Sequence, residues 1–418
     1  MRAVLGINDS HCATAALVVD GRVVACVSEE RFTRRKNEGG YPRRSVEYCL
    51  GFLPGGAGDL EAVALAGREA MDPGWFNLLT RDEEYIDDYF EVPRLRRDWG
   101  VLRSSRRKRA WKRKRSLSKE ERLRTVAGHL GVSPAVLRSV DHHLCHAAAA
   151  YYASPFAGGR ALVLTNDNAG DGLCATVNEA APRGIRRLSA SRSAHGSLGS
   201  FYSLVTVFLG MRQLEHEHKV MGMAPYAPED GRREALEVFR ELMEYVPAAG
   251  EEGGKFRWRV RDRRFAHLMM KLARRRFDWV AGAAQTHLEE MLERWAREGL
   301  RLAGGDGAAL GRVALSGGIF MNVKANQRLA ALAEIGDLFV MPSCGDESNA
   351  IGAAYQVYYE AGAGADPADG FFPLRSLYLG PEYSHREVEE ALRQGGISDR
   401  HRVSRPADVE STAADLLV

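Results

Sequence analysis

The sequence predicts an α/β fold of two similar lobes, followed by the start of a smaller α/β domain. Three observations support this prediction. The chain has 418 residues, of which 45% are apolar, so it is too long for one compact core and too apolar for disorder. A strand, loop and strand pattern occurs twice, and both first strands end in Asn-Asp, at residues 8–9 and 166–167. A run rich in glycine and alanine at residues 361–370 then separates a C-terminal segment.

The opening strands of each lobe are indicated by short apolar runs. The predicted strands are residues 3–7, 15–19 and 22–27 in the first lobe, and 162–166 and 173–177 in the second. Asp20-Gly21 is typical of a two-residue hairpin turn. An acidic loop, residues 167–172, separates the two strands of the second lobe. We therefore expect each lobe to place the acidic end of its first strand towards a shared cleft.

The rest of the second lobe contains a long helix. Apolar residues at helical spacing predict it over residues 277–302, as a core element. His287 lies on this helix without a ligand-type neighbour, which favours a structural role. Glycines at residues 304–307 interrupt the chain before a predicted strand at residues 313–315.

The charge distribution limits the possible partners. With 58 Lys and Arg against 55 Asp and Glu, the net charge is +3, which argues against a globally basic nucleic-acid-binding protein. Residues 101–125 hold twelve bases and two acids, a local charge of +10. This stretch could bind RNA or an anionic surface, but a solvated insertion beside the acidic residues 82–91 is the favoured interpretation.

The cysteines and the apolar segments indicate the compartment. The six cysteines show no CxxC spacing, which favours a reducing environment. The N-terminus shows no signal-peptide pattern, and no apolar run approaches the roughly 20 residues of a membrane span. We expect a cytoplasmic protein without membrane association.

An HxxxH pair is the sharpest chemical signal. His142 and His146 come just before an alanine-rich run that favours helix. They are four residues apart, so both imidazoles project from one helix face. Asp167 and Asp346 occur at loop ends elsewhere in the chain. Two imidazoles with two carboxylates suit iron(II), manganese or zinc. Ordinary turn residues are the alternative interpretation for either aspartate alone.

Two further segments are candidates for a nucleotide cleft. Gly317 and Gly318 stand between a predicted strand and helix, where backbone N–H groups can approach phosphate. The pattern is not a P-loop, and a purely structural turn is equally consistent with it. The second segment holds Glu217, Lys219 and Gly222 shortly before a proline. A helix end is the alternative there.

A third candidate pair lies near the N-terminus. His11 follows the first strand and Lys36 follows the hairpin. They could converge on a leaving group or an acceptor hydroxyl, one as a base and the other as a positive clamp. A solvated charged turn is the alternative.

Taken together, seven ordered segments resemble the carbamoyltransferase family typified by antibiotic-tailoring and nodulation-factor O-carbamoyltransferases. They are LGINDSHCATAALVVDG, SEERFTRRKN, DHHLCHAAAAYYASPF, LTNDNAGDG, HEHKVMGMAPY, LSGGIFMNVKANQRL and GDESNAIGAA. They span roughly residues 3–356. The resemblance implies the duplicated two-lobe fold of actin, sugar kinases and Hsp70.

The resemblance also implies a reaction in two steps. Carbamoyl phosphate and ATP would give carbamoyl adenylate and pyrophosphate, and the carbamoyl group would then pass to a hydroxyl of a small antibiotic or sugar-like acceptor. The implied residues are the ligands of a divalent metal, commonly iron(II), at His142, His146, Asp167 and Asp346, the transfer residues His11 and Lys36, and the nucleotide cleft at Gly317, Gly318 and Asn322.

These implications set the expected domain organisation. We expect one domain at residues 1–360, with lobes at about 1–155 and 156–360 and a basic insertion at about 94–125. A linker is expected at residues 361–373 and an incomplete adenylate-forming domain at 374–418. Further residues or a partner subunit would then supply adenylate formation.

Two other functions are considered. A tRNA threonylcarbamoyl-transfer enzyme would use residues 101–125 as its RNA footprint, and a non-catalytic nucleotide-binding scaffold would need no transfer residues. The segments NDSHCATAALVVDG and SEERFTRRK favour the small-molecule transferase, so nucleic acid is not the expected partner.

Overall fold

The computed structural model describes residues 1–68, 118–248, 253–304, 311–361 and 370–418. These residues form two compact units, Met1–Leu379 and Gly380–Val418. Most of the basic stretch, residues 101–117, and most of the glycine-rich run, residues 362–369, lie outside the described residues.

The first lobe contains a five-stranded mixed sheet. Its strands are β1 (Ala3–Asn8), β2 (Thr14–Val19), β3 (Arg22–Ser28), β4 (Leu60–Ala66) and β5 (Leu137–Val140), in the order β3-β2-β1-β4-β5. Strands β1, β2 and β3 are antiparallel, whereas β4 and β5 run parallel to β1. Asp20 and Gly21 both have positive φ in the β2–β3 turn, as a two-residue hairpin requires, which confirms the predicted hairpin.

The helices of this lobe begin and end as follows: α1 (Glu30–Thr33), α2 (Arg43–Leu50), α3 (Lys119–Leu130) and α4 (His142–Tyr152). Asp141 caps α4 by accepting a hydrogen bond from the Leu144 amide at 3.0 Å, which satisfies one of the amides left unpaired at a helix start. Helix α4 therefore begins at the first residue of the HxxxH pair.

The second lobe repeats this topology. Its strands are β6 (Ala161–Gly170), β7 (Leu173–Ala181), β8 (Gly184–Arg192), β9 (Met243–Val246), β10 (Lys255–Trp258), β11 (Arg312–Ser316) and β12 (Asp337–Val340). The main sheet has the order β8-β7-β6-β11-β12, while β9 and β10 form a separate hairpin. The three first strands are antiparallel and the two last run parallel to β6. Both lobes thus share one strand order and one set of directions, and the predicted duplicated α/β fold is confirmed.

One boundary in this sheet differs from the prediction. The expected loop at residues 167–172 is largely part of β6, which continues to Gly170. Its pairing with β7 is irregular between Asn166 and Gly170. A bulge leaves residues unpaired and redirects their side chains, so residues 167–169 leave the ladder without ending the strand.

The helices of the second lobe cover its sheet. They are α5 (Leu198–Phe208), α6 (Glu217–Met223), α7 (Glu229–Leu242), α8 (Asp262–Leu272), α9 (Phe277–Ala303), α10 (Val323–Ala330) and α11 (Asn349–Ala361). Helix α9 matches the predicted long helix to within one residue. His287 on α9 is buried, and its Nε2 lies 3.0 Å from the carbonyl oxygen of Met243, which supports the structural role.

The two lobes meet where α4 and α11 cross. These helices occupy equivalent places, since each follows the last strand of its sheet. A Cβ atom on Gly352 would lie 1.8 Å from the carbonyl oxygen of Cys145, and one on Gly6 would lie 1.9 Å from that of Ala350. Only glycine permits such close backbone approach. The crossing therefore brings the start of α11 against the HxxxH turn of α4.

A buried ion pair joins helix α3 to the residue that follows β1 in the first lobe. Arg122 on α3 is 2% exposed and makes two hydrogen bonds to the Asp9 carboxylate, at 2.6 and 2.8 Å. It also donates to the carbonyl oxygens of Ala66 and Gly67. Asp9 and Asp167 occupy equivalent places in the two lobes, so the duplicated aspartates have different partners. The Asp9 carboxylate, which follows β1, is therefore directed into the protein. We had expected it to face the cleft.

The C-terminal residues divide into a packed segment and a separate unit. Residues 370–379 belong to the first unit, in which the Leu374 amide donates to the carbonyl oxygen of Ala153 and the Cys26 amide donates to that of Leu379. The separate unit contains α12 (His385–Gln394), α13 (Ile397–Arg400) and α14 (Val409–Leu417). In this fully described unit no side chain is buried. Across the described residues, no helix has the length and apolarity needed to cross a membrane.

Candidate metal centre and adjoining cavity

Four side chains that are distant in sequence converge at the crossing of α4 and α11. His142, His146, Asp167 and Asp346 each offer one ligand atom, and these atoms all lie within 4.8 Å of one another. Nε2 of His142 is 3.2 Å from Oδ2 of Asp167, and Nε2 of His146 is 3.2 Å from Oδ1 of Asp346. The structure thus brings together all four predicted metal ligands.

Hydrogen bonds hold the two imidazoles in place. Ser316 at the end of β11 contacts Nδ1 of His146 through its hydroxyl at 3.1 Å, so Nε2 is directed into the cluster. Asp171 accepts a hydrogen bond from the His142 backbone amide at 2.8 Å. A Cβ atom on Gly170 would lie 2.1 Å from the His142 ring. A hydrogen bond to the outer ring nitrogen, as from Ser316 to His146, orients a metal-binding histidine, whereas His142 is fixed through its backbone and by the close approach of Gly170.

The electrostatics favour a cation at the cluster. Burial lowers the pKa of His146, but its hydrogen bonds to Asp167 and Asp346 outweigh burial and raise this pKa to about 9. The pKa of His142 is also raised against burial, by the same two carboxylates. Burial raises the pKa values of Asp167 and Asp346, but the imidazoles of His142 and His146 lower both, and that of His11 lowers the pKa of Asp346 further, so both values lie below the usual range. The carboxylates are therefore anionic, and a metal would displace protons from the imidazoles.

The donor set fits the metal that the sequence predicts. Two neutral imidazoles and two carboxylates are a borderline ligand set, which accepts iron(II), manganese or zinc. His143, the intervening histidine, contacts the Thr165 hydroxyl at 2.8 Å instead. Burial lowers its pKa to about 3, so it stays neutral and lies outside the cluster.

A cavity of about 470 Å³ adjoins the cluster. Asp167 and Asp346 form part of its wall, and both lobes contribute residues to it. His11 also lines the cavity, with its Nε2 3.3 Å from Oδ2 of Asp346. The carboxylate of Asp346 therefore contacts the histidine cluster through one oxygen and His11 through the other.

The wall of this cavity is acidic. Its carboxylates are Glu30, Asp167, Glu215, Glu217, Asp346 and Glu347. Among the lining residues that the structure describes, Arg31 is the single arginine or lysine. A phosphate group in the cavity would be repelled unless a cation offset these charges.

Three of the six residues predicted to bind nucleotide line the cavity, and three do not. Gly318, Asn322 and Glu217 line the cavity. The Gly318 amide lies 3.3 Å from Oδ1 of Asp167, and Asn322 caps α10 by accepting from the Ala325 amide at 3.0 Å. Glu217 accepts from the Leu214 amide at 2.8 Å.

The other predicted residues lie outside the lining. Gly317 has φ of +110° and donates its amide to the carbonyl oxygen of Cys344, so it shapes the turn before Gly318. Lys219 and Gly222 are exposed on α6. Lys36 is exposed as well, although its neighbour Asn37 lines the cavity.

Sequence reasoning missed several residues around the cluster. Ser316 and Asn349 both contact His146, and Asp171 fixes the start of α4. All three lie inside segments that the resemblance identified, LSGGIFMNVKANQRL, GDESNAIGAA and LTNDNAGDG. The sequence shows how many residues separate them from the metal ligands. Their contacts with those ligands depend on how the helices cross.

The sheet topology and the cluster together define a two-lobe α/β protein of the actin and sugar-kinase fold with a candidate metal centre. Solved structures that resemble the chain include full-length HypF in a phosphate- and nucleotide-bound form, at 13% identity and a TM-score of 0.48, covering 85% of this chain and 55% of that one. A ligand-bound xylulose kinase from Lactobacillus acidophilus has 10% identity and a TM-score of 0.40, covering 96% and 97%. These likenesses are distant, and the fold assignment rests on the strand order.

Comparison of sequences identifies the family. The family profile "Carbamoyltransferase N-terminus" matches residues 3–355, so the chain belongs to the carbamoyltransferases, a family of enzymes. It is 29% identical to nodulation protein NolNO of Sinorhizobium fredii, over 97% of this chain and 54% of that protein. It is 31% identical to nodulation protein NolO of Bradyrhizobium diazoefficiens, over 66% of this chain and 48% of that protein. The chain therefore spans about half the length of these two relatives.

Proposed function

We propose that the chain carries the transfer step of an ATP-dependent O-carbamoylation. In this step a carbamoyl group passes from carbamoyl adenylate, made from carbamoyl phosphate and ATP, to a hydroxyl of a small antibiotic or sugar-like acceptor. The observation that carries the proposal is the carboxylate of Asp346, which links His11 to the histidine cluster beside a cavity. A general base and a site for phosphate charge would thereby adjoin one another.

His142, His146, Asp167 and Asp346 would hold a divalent cation, iron(II) in our proposal. The cation would supply positive charge for the adenylate phosphate in a cavity whose wall carries six carboxylates. The nucleotide would lie against the wall that contains Gly318, Asn322 and Glu217, with Gly317 shaping that turn. Lys219 and Gly222 would border it from α6.

His11 would act as the general base. When its Nε2–H donates to Asp346, Nδ1 is the nitrogen that accepts the proton of the acceptor hydroxyl. The hydroxyl oxygen then bonds to the carbamoyl carbon, the bond from that carbon to the phosphate oxygen breaks, and AMP leaves. Lys36 is proposed to stabilise the departing phosphate, reaching towards the cavity from its exposed position beside Asn37.

The supply of carbamoyl adenylate is a separate part of the proposal. We propose that residues beyond this chain, or a partner subunit, form it from carbamoyl phosphate and ATP. The isolated chain would then fail with carbamoyl phosphate and ATP and succeed with synthetic carbamoyl adenylate. Adding an adenylate-forming domain in trans would restore activity with the first pair of substrates.

The transfer step is tested directly with synthetic carbamoyl adenylate. The metal-loaded chain is incubated with a panel of hydroxylated acceptors, and products are searched by mass spectrometry for the gain of one carbamoyl group. His11→Gln should lower the transfer rate by about 100-fold or more. His195→Gln, an exposed residue outside the cavity lining, is the matched control and should leave the rate unchanged. Hydrolysis of the adenylate without carbamoylation of any acceptor, or an active His11→Gln variant, would contradict the proposal.

A further inference from the structure

A fifth polar side chain adjoins the metal cluster. Asn349 is the first residue of α11, and its side chain is fully buried. Its amide nitrogen lies 3.3 Å from Nε2 of His146 and 3.4 Å from Oδ1 of Asp346. Metal–ligand bonds of about 2.0–2.2 Å place neighbouring ligand atoms roughly 3–3.5 Å apart. The Asn349 amide therefore lies at the spacing of a ligand.

The other end of this amide has no partner. Oδ1 of Asn349 is buried and makes no hydrogen bond within the described residues. A buried carbonyl oxygen without a partner is destabilising, because it loses its hydrogen bonds to water and gains none in the protein. A rotation of 180° about the bond between Cβ and Cγ exchanges the nitrogen and oxygen, which would place the unpaired oxygen next to His146 and Asp346.

A cation at the cluster would reverse the preference between these two orientations. Without a metal, the amide N–H group can donate to the Asp346 carboxylate, 3.4 Å away. With a metal, the lone pair of His146 Nε2 is used for coordination, and an N–H group facing a cation is repelled. A carbonyl oxygen in that place is attracted and is itself a suitable ligand for a divalent cation.

We propose that Asn349 supplies its amide oxygen as a fifth protein ligand when the cluster holds its metal. The proposal rests on the metal centre of the proposed function but not on the carbamoyl-transfer chemistry. It would have a consequence for that chemistry, because five protein ligands would leave fewer positions on the ion for a substrate oxygen than four.

The test uses cobalt(II) as the probe on the full chain. Cobalt(II) reports coordination number through its visible absorption, which becomes more intense as the number of ligands falls. Asn349→Leu should lower cobalt(II) affinity by about tenfold or more, measured by competition with a chelator, and should intensify the absorption. Asn349→Asp keeps an oxygen at the same reach, so it should retain the wild-type intensity. Asn349→Ala replaces the leucine variant if that variant does not fold.

Gln356 provides the matched control. It is also a buried amide on α11, it also has an oxygen without a partner in the described residues, and it lies about 10 Å along the helix from Asn349. Gln356→Leu should change neither affinity nor absorption, and circular dichroism confirms that each metal-free variant is folded. An Asn349→Leu protein with the wild-type absorption overturns the proposal even if affinity falls, since the amide would then only orient Asp346. A wild-type chain that binds no cobalt(II) overturns the metal centre and the fifth ligand together, while loss of transfer activity alone affects neither.

Discussion

The buried ion pair between Arg122 and Asp9 gives the sharpest prediction about stability. Replacing Arg122 with leucine would leave the Asp9 carboxylate buried and unpaired, and would remove the donor to the carbonyl oxygens of Ala66 and Gly67. Breaking a buried pair from one side typically costs about 3–5 kcal/mol. Because both side chains are at least 95% buried, we expect Arg122→Leu to fall in that range.

The measurement is urea denaturation followed by far-ultraviolet circular dichroism. Arg124→Leu is the matched control, since Arg124 is exposed on the same helix two residues away, and it should cost less than about 0.5 kcal/mol. The double variant Asp9→Leu/Arg122→Leu also removes the buried Asp9 carboxylate. Its free energy of unfolding should therefore be about 2 kcal/mol higher than that of Arg122→Leu. A free energy of unfolding for Arg122→Leu within about 1 kcal/mol of wild type would refute the reasoning, as would an equal loss in the Arg124 variant.

Three further predictions concern the cluster, the helix crossing and pH. Ser316→Ala removes the contact that orients His146 and should weaken metal binding by about 10–100-fold in a chelator competition, without changing the number of ions bound. Gly352→Ala places a methyl group against the Cys145 carbonyl oxygen. It should lower the free energy of unfolding by about 1–3 kcal/mol and also weaken metal binding. Unchanged metal binding would show that the helix crossing does not position the ligands. Burial lowers the pKa of His287 to about 4, whereas an unfolded chain has a histidine pKa of about 6.5. Between these pH values the unfolded chain binds one more proton than the folded chain. The free energy of unfolding should therefore fall by about 3 kcal/mol as the pH is lowered from about 6.5 to 4. His287→Gln should flatten this part of the pH profile of the urea midpoint, and an unchanged slope would contradict the assignment.

Local sequence patterns were sufficient for the elements and the duplication. Short apolar runs and the Asp20-Gly21 turn predicted the hairpin of the first lobe, and the spacing of apolar residues predicted α9 almost to its ends. The repeated Asn-Asp dipeptide indicated two lobes, and the strand orders confirm them. These features depend on neighbours a few residues apart, so they are visible in one sequence.

The four candidate metal ligands were also predicted, but by a different route. Helical spacing paired His142 with His146, whereas Asp167 and Asp346 were joined to them through the ordered motifs and the family resemblance. Lys219 and Gly222 were predicted from charge and a glycine shortly before a proline, and Lys36 from its position after the hairpin together with the resemblance. The structure leaves these three exposed and outside the cavity lining, so their roles remain predictions.

The sequence by itself thus determined the elements, the duplication and the residues that can bind a metal. Only the tertiary structure decided which polar groups meet. Asp9 and Asp167 have the same local sequence context, yet one is neutralised by Arg122 and the other joins the cluster. Asn349 adjoins the candidate metal centre only because α4 and α11 cross in backbone contact at Gly352. The contacts of His146 with Asp346 and Asn349 join residues about 200 positions apart, and their distances follow from packing, which no local pattern records.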